Sequence, residues 1–190
     1  MAQRDANLAY VVGVAIGDGN LSNPNGRAVR LRVSCDAKYP LLIEKISFAI
    51  QAALPENKVS LIVRKNNCVD VSCYSNQWEE ILGWKAKGGP KWAQQVSIPE
   101  WIRTDNSLSL SCIRGLIETD GSIFLDRGYK TVNFVTVIPS LANQVSDLIR
   151  KNGFSCNTQK YIQKNGKIKH TIRISKNAEE FIRAVDVRKE

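Results

Sequence analysis

Apolar residues recur at helical spacing through residues 7–18 and again through 108–119, and each run ends at an Asp-Gly pair. After the first run, Val29, Leu31 and Val33 alternate with Arg30, Arg32 and Ser34, the pattern of a half-buried strand with a basic outer face. Helical spacing returns from Leu41 to Leu54 and stops before Pro55, where the ring would break a helix. Val59 to Arg64 and Val69 to Tyr74 then read as strands joined by the turn-forming Lys65-Asn66-Asn67-Cys68, followed by a short helix from Gln77 to Leu82. The second run is followed in the same way by strands at 122–126 and 131–138, a helix at 140–151, strands at 158–164 and 168–175, and a helix at 178–186. The order αββαββα thus occurs twice, which predicts an α+β fold of two similar halves, each with an antiparallel sheet.

The residues themselves repeat. Val11-Val12-Gly13-Val14-Ala15-Ile16-Gly17-Asp18-Gly19 is answered by Ile113-Arg114-Gly115-Leu116-Ile117-Glu118-Thr119-Asp120-Gly121. Pro40-Leu41-Leu42 with Pro139-Ser140-Leu141, and Glu79-Glu80-Ile81-Leu82 with Glu179-Glu180-Phe181-Ile182, keep almost the same offset of about 100 residues. One short match arises by chance; three in register indicate duplication. The predicted organisation is a first half at 1–84, a linker at 85–106 rich in Gly, Pro and Lys, and a second half at 107–190.

With 190 residues and 43% hydrophobic composition, the chain is long enough to bury a core and fold unaided. It has no run near the roughly 18 apolar residues of a membrane span, and Met1 to Asp5 lacks a signal-peptide core. The expectation is a soluble intracellular protein, in a cytoplasm or an organelle. Five cysteines without a C-x-x-C pair and a single histidine, His170, fit free thiols in a reducing compartment better than a zinc site. A net charge of +9 points to a polyanionic partner.

The two Asp-Gly helices suggest a chemistry for that partner. Gly13 and Gly17 lie on one helix face, as Gly115 and Thr119 do on the other, so each helix offers a stripe poor in side chains where two backbones can approach. Gly19 and Gly121, following the acids, suit helix C-caps. If the helices pack as a pseudo-twofold pair, Asp18 and Asp120 emerge together, each at the negative end of a helix dipole. Divalent ions relieve that repulsion: Mg²⁺ favours one or two carboxylates with carbonyl, water and phosphate oxygens, and paired ions assist phosphodiester hydrolysis. An isolated Asp-Gly helix is ordinarily only a capped helix with a solvated acid; duplication in register before a basic strand favours the functional reading.

At these residues the chain resembles the LAGLIDADG homing endonucleases, whose motif aligns with 11–19 and 113–121, and the two-motif length is similar to single-chain, monomeric members. The resemblance implies a saddle of two sheets in successive DNA major grooves, motif helices packed at the interface, and Mg²⁺-dependent double-strand cleavage leaving short 3′ overhangs. It further implies Asp18 and Asp120 as catalytic acids sharing two or three ions with the carbonyls of Gly17 and Thr119, Mn²⁺ or Ca²⁺ substituting for binding. The basic residue that organises the catalytic water falls at Lys87 in the first half and at Arg188 or Lys189 in the second. Ile16 stands where the motif has an acid, retained as Glu118 in the second copy, and the polar residue ending the second strand is Cys35 in one half and Val137 in the other.

Alternation places Arg30, Arg32, Ser34, Arg64, Asp70, Ser72 and Tyr74 outward in the first half, and Asn133, Lys160, Lys169, Thr171 and Arg173 in the second. Turns add Asn23, Asn25, Arg27, Lys65, Asn67, Arg127, Tyr129, Lys130, Lys164 and Lys167. Such residues read bases and neutralise phosphates, so binding of double-stranded DNA should weaken with salt; solvated sheet faces are the simpler reading of any one of them. The tryptophans are expected as core or linker anchors. The rival reading of the whole is a relative that binds without cutting, as an intron-RNA splicing cofactor or DNA-binding regulator.

Overall fold

A computed structural model describes residues 4–164 and 166–188. Helix α1 (Ala6–Gly17) is capped by Asp5, whose carboxylate accepts from Leu8 N at 2.9 Å. Helix α5 (Asn106–Asp120) is capped in the same way by Asp105 on Leu108 N at 3.0 Å. These caps repeat at nearly the offset of the motifs, and each satisfies a backbone donor that the first turn leaves unpaired.

In the first half, β1 (Gly19–Ser22), β2 (Arg30–Asp36), β3 (Val59–Val63) and β4 (Cys68–Tyr74) form one antiparallel sheet in the order β1-β2-β4-β3. In the second half, β5 (Gly121–Asp126), β6 (Tyr129–Thr136), β7 (Asn157–Ile162) and β8 (Ile168–Ile174) repeat the order as β5-β6-β8-β7. Gly19 pairs with Val33 and Gly121 with Phe134, so Arg32 and Asn133 occupy equivalent sites. Helices α2 (Pro40–Ala53) and α6 (Pro139–Lys151) start with proline in the first turn, where its missing N–H costs nothing, and pack on one side of their sheets. The short helices α3 (Trp78–Leu82) and α7 (Ala178–Val185) close the halves, and α4 (Glu100–Arg103) lies within the segment read as linker.

Helix α1 is apolar all round and buried from Leu8 to Ile16, because α5, α2 and the sheet enclose it. Its contact with α5 is the most extensive between any two elements outside the sheets. The glycines make this approach possible. A Cβ on Gly115 would lie 2.7 Å from Val14 N and closer still to Tyr10 O, and one on Gly13 would strike Cys112 O. Gly121 is the C-cap of α5, at φ −89°, whereas α1 is capped one residue before Gly19, at Asp18, and neither glycine has a positive φ. They are glycine because a Cβ would come within 2.5 Å of Ala15 O or Ile117 O as the chain folds from helix into strand.

Candidate metal centre and nucleic-acid face

The packing brings the two acids together. Asp18 ends α1 and Asp120 ends α5, both exposed, and the Asp120 carboxylate reaches within 3.5 Å of where a Gly17 Cβ would stand. Two clefts related by the pseudo-twofold flank them. One, of about 580 Å³, is lined by Gly17, Asp120, Thr136, Val137, Ile138 and Leu141, with Lys91 and Trp92 from the linker. The other, of about 220 Å³, is lined by Thr119, Asp18, Cys35, Asp36, Tyr39 and Leu42. Each cleft therefore combines an acid from one half with the helix end of the other. This exchange requires both halves in one chain or a pair of chains.

Oxygen donors dominate, which fits a hard divalent cation. Among the described residues no cluster of three His, Cys, Asp or Glu forms, so a cation held here would rest on the two carboxylates and the helix-end carbonyls. Gly17 O points into its cleft, as its hydrogen bond from Lys91 Nζ shows. Burial holds the Lys91 ammonium below its ordinary pKa, with Asp120 and Asp18 pulling the other way.

The basic side chain that the fold brings to the end of α1 is Lys91, a residue the sequence reading did not single out. Lys87 is exposed in the linker four residues earlier, whereas Lys91 donates to Ala15 O at 3.2 Å, to Ile16 O at 2.7 Å and to Gly17 O. Nothing in the local pattern marked it, since Lys85, Lys87 and Lys91 all sit in the same Gly- and Pro-rich stretch and the turn geometry decides among them. Lys189 lies outside the described residues. Arg188 is described: its backbone N donates to Glu118 Oε1 at 3.0 Å and its guanidinium pairs with Asp186.

Glu118, the acid retained in the second motif, is a structural centre. Its fully buried carboxylate accepts from Tyr10 OH and Lys45 Nζ at 2.7 Å each and from Arg114 Nε at 3.1 Å, tying α5 to α1 and α2. Burial and this carboxylate push the Tyr10 phenol far above its usual range. Cys35 is matched in the second half by Thr136, one residue before the expected Val137, because β6 ends at Thr136. Burial first, then Asp18 and Asp70, push the Cys35 thiol up to about 12.

Opposite the helices, the sheet faces carry most of the predicted polar set. Arg30, Arg32, Ser34, Asp70, Ser72 and Tyr74 share one face in the first half, and Asn133, Thr171, Lys169 and Arg173 in the second. Asn23, Asn25, Arg27, Lys65, Asn67, Arg127, Tyr129 and Lys164 lie in loops and strand ends beside them. Asp70 and Ser72 are corrected in role, being 2% and 3% exposed. Asp70 accepts from Ser34 Oγ and Arg64 Nε at 2.7 Å each, so it orients those two side chains. Its burial raises the carboxyl pKa, but those hydrogen bonds and the Arg64 charge outweigh it, and the net shift is downward.

Two lysines fall off the predicted face. Lys160 pairs in register with His170 and so faces the α6 side, as does Thr158, whose hydroxyl lies 3.1 Å from Ser146 Oγ. Asn157, Gln159 and Tyr161 take the open face in its place. Strand β7 is exposed at every position, so alternation carried no information about its faces. Lys130 reaches Glu179 of α7 at 3.6 Å. Lys167 lies 4.2 Å over the Trp92 ring. Trp78 and Trp84 are buried, while Trp92 is 45% exposed in the linker. His170 is 4% exposed and its ring nitrogens have no hydrogen-bond partner among the described residues; burial and then Lys160 lower its pKa.

Two mirrored αββαββα halves with paired helices that end in acids define the LAGLIDADG architecture. Residues 107–186 match the family model described as a LAGLIDADG-like domain. More particularly, the fold of the chain is similar over nearly all of its length to that of the homing endonuclease I-DmoI. The structure of I-DmoI in complex with DNA and Mn is 17% identical, covers 96% of this chain and 97% of that chain, and superposes with a TM-score of 0.70. The N-terminal LAGLIDADG domain of DUF199/WhiA is 16% identical over 98% of this chain and 86% of that one, with a TM-score of 0.63. Full-length DUF199/WhiA from Thermatoga maritima covers all of this chain with 58% of its own, at a TM-score of 0.65. No curated protein sequence matches the chain.

Proposed function

We propose that the protein is an intracellular, site-specific DNA endonuclease that hydrolyses both strands of a long target with Mg²⁺, leaving short 3′ overhangs, in the manner of a homing endonuclease. The observation that carries the reading is the meeting of Asp18 and Asp120 at the α1/α5 interface, each in a cleft completed by the other half. Oxygen donors of this kind hold Mg²⁺, and a bound divalent ion supplies an activated water and neutralises the leaving oxygen. The chain's own part is to fix two acids at one spacing, present the carbonyls of Gly17 and Thr119, and seat the phosphodiester between two basic sheet faces. Arg32 Nε and Asn133 Oδ1, at equivalent positions on the open faces, have no partner within the described protein, which suits groups that bond to a base edge or phosphate. The structures of I-DmoI with DNA and Mn²⁺, Mg²⁺ or Ca²⁺ add support by likeness of fold.

The test is incubation of the full chain and Mg²⁺ with the DNA that flanks the gene's insertion point, joined as if the insert were absent, beside Asp18→Asn/Asp120→Asn. Site-specific double-strand breaks from the wild type alone are expected. The seating of Lys91 on Gly17 O favours one rival, a binding protein of the same fold that acts as a regulator or intron-RNA splicing cofactor. Tight, salt-sensitive binding with no cut at any Mg²⁺ concentration would establish that rival.

A further inference from the structure

The linker places an ammonium where the two motif helices end. Lys91 Nζ bonds to three successive carbonyls of the last turn of α1, Ala15, Ile16 and Gly17, and feels the attraction of both Asp120 and Asp18. Helix-end carbonyls have no intrahelical donors, so they accept a cation readily. These are the oxygens that the nuclease reading assigns to a divalent ion.

The lysine is held there by its backbone. Gln94 Nε2 donates to Lys85 O at 3.0 Å and Gly89 O at 2.8 Å, and its Oε1 accepts from Lys85 N at 2.8 Å, which closes the linker into a turn around residues 85–94. Val96 N bonds to Lys91 O at 3.2 Å, and the next residue, Trp92, carries Lys167 on its ring. A tethered cation on a braced turn has a high local concentration at its carbonyls. Among the described residues the lining of the Asp18-side cleft holds no lysine or arginine, and Lys45 Nζ beside it is bonded to the Glu118 carboxylate, not to a helix-end carbonyl.

We propose that Lys91 is a tethered competitor for the divalent ion at the Asp120-side cleft, so that in the free protein the two clefts load metal unequally, the Asp18 side first. The inference rests on the nuclease reading above. A divalent ion on Gly17 O would lie within a few ångströms of the ammonium on the same atom, and like charges that close repel even in a wet cleft. Loading the Asp120 side therefore requires Lys91 to swing away. If Lys91 were only a helix cap, its removal would lower stability and leave metal affinity unchanged.

The experiment is titration of Mn²⁺ into the full chain without DNA, followed by the electron paramagnetic resonance signal of free Mn²⁺. It compares wild type, Lys91→Met and Lys91→Gln, each with and without Asp120→Asn, after circular dichroism has shown that they fold. Lys91→Gln keeps donors for the carbonyls and serves if Lys91→Met does not fold. The expected result is an Asp120-dependent site that tightens about tenfold or more in both lysine variants, tenfold being the equivalent of 1.4 kcal/mol of relieved repulsion. An Asp120-dependent site of unchanged or weaker affinity in both variants overturns the competition and leaves the metal centre standing. Binding indifferent to Asp120→Asn in every background overturns the metal centre, and the competition with it.

Discussion

Gly115→Ala tests whether the two motif helices are pressed together at backbone distance. In an unpacked helix this change is stabilising by about 1 kcal/mol, because alanine loses less backbone entropy. Here the new Cβ would stand 2.7 Å from Val14 N and closer to Tyr10 O, where 3.4 Å is ordinary contact. Both neighbours are backbone atoms of α1, so no rotamer change relieves the overlap. The helices must separate by at least about 0.7 Å, and a gap of that order forfeits a quarter or more of the dispersion attraction across the contact. Overpacking of this kind costs about 1–3 kcal/mol, and the lost contact along Val14, Ile113, Leu116 and Ile117 places this site at the top of that range or above it. Net of the helix gain, the variant should lose about 2 kcal/mol, or about 4–8 °C in Tm for a chain of this size. Urea unfolding followed by far-ultraviolet circular dichroism, with calorimetry beside it, measures both. A variant as stable as the wild type would refute the close-approach argument and with it the physical reason for the Asp18–Asp120 spacing.

Three further outcomes follow from the structure. Glu118→Ala removes the acceptor shared by Tyr10, Lys45 and Arg114 and should cost about 3 kcal/mol in urea unfolding, the low end for a broken buried pair because Lys45 and Arg114 are partly hydrated; a loss below 1 kcal/mol would show that the carboxylate is not the hub described. The Asp70 carboxyl is held below its ordinary 3.8, so its contribution to stability is present above that pH and is lost as pH falls through the folded value; Arg64→Met should move the acid-unfolding midpoint upward, and an unmoved midpoint would mean the pair contributes nothing. Cys35, 7% exposed with its thiol pushed up to about 12, should resist iodoacetamide at pH 8 while half-buried Cys68 is alkylated first, as peptide mass spectrometry would show; equal rates at the two would contradict the packing around the Asp18-side cleft.

Much of the fold was legible because the duplicated chain states its pattern twice. The helices before Asp18 and Asp120 were readable from apolar spacing, and the Gly13 and Gly115 stripes from the cost of glycine inside a helix, which is tolerated where a backbone needs the space. Strands β2 and β8 were readable because one face is buried and the other polar. Strand β7 was not, since both of its faces are wet and Lys160 could be assigned to either. The cap at Gly121 was legible, but the cap of α1 falls at Asp18, and the steric need for glycine at 19 and 121 leaves no mark of its own in the sequence. Lys91 was illegible for a different reason: a linker lysine acquires its role from a turn closed by Gln94, three residues on, and no periodicity marks such a turn.

Duplication also explains why the site is unequal. A pair of identical chains would place the same group in both clefts, whereas a single chain lets each half change alone. The first motif has Ile16 where the second has Glu118, so only one side builds the buried network that ties α5 to α1 and α2. Cys35 faces one cleft and Thr136 the other. The linker occurs once, and so its lysine reaches only the Asp120 side. Each difference leaves the acids in place while altering what surrounds them, which is the arrangement by which one half can be tuned in charge and volume without disturbing the helix interface that sets the distance between the carboxylates.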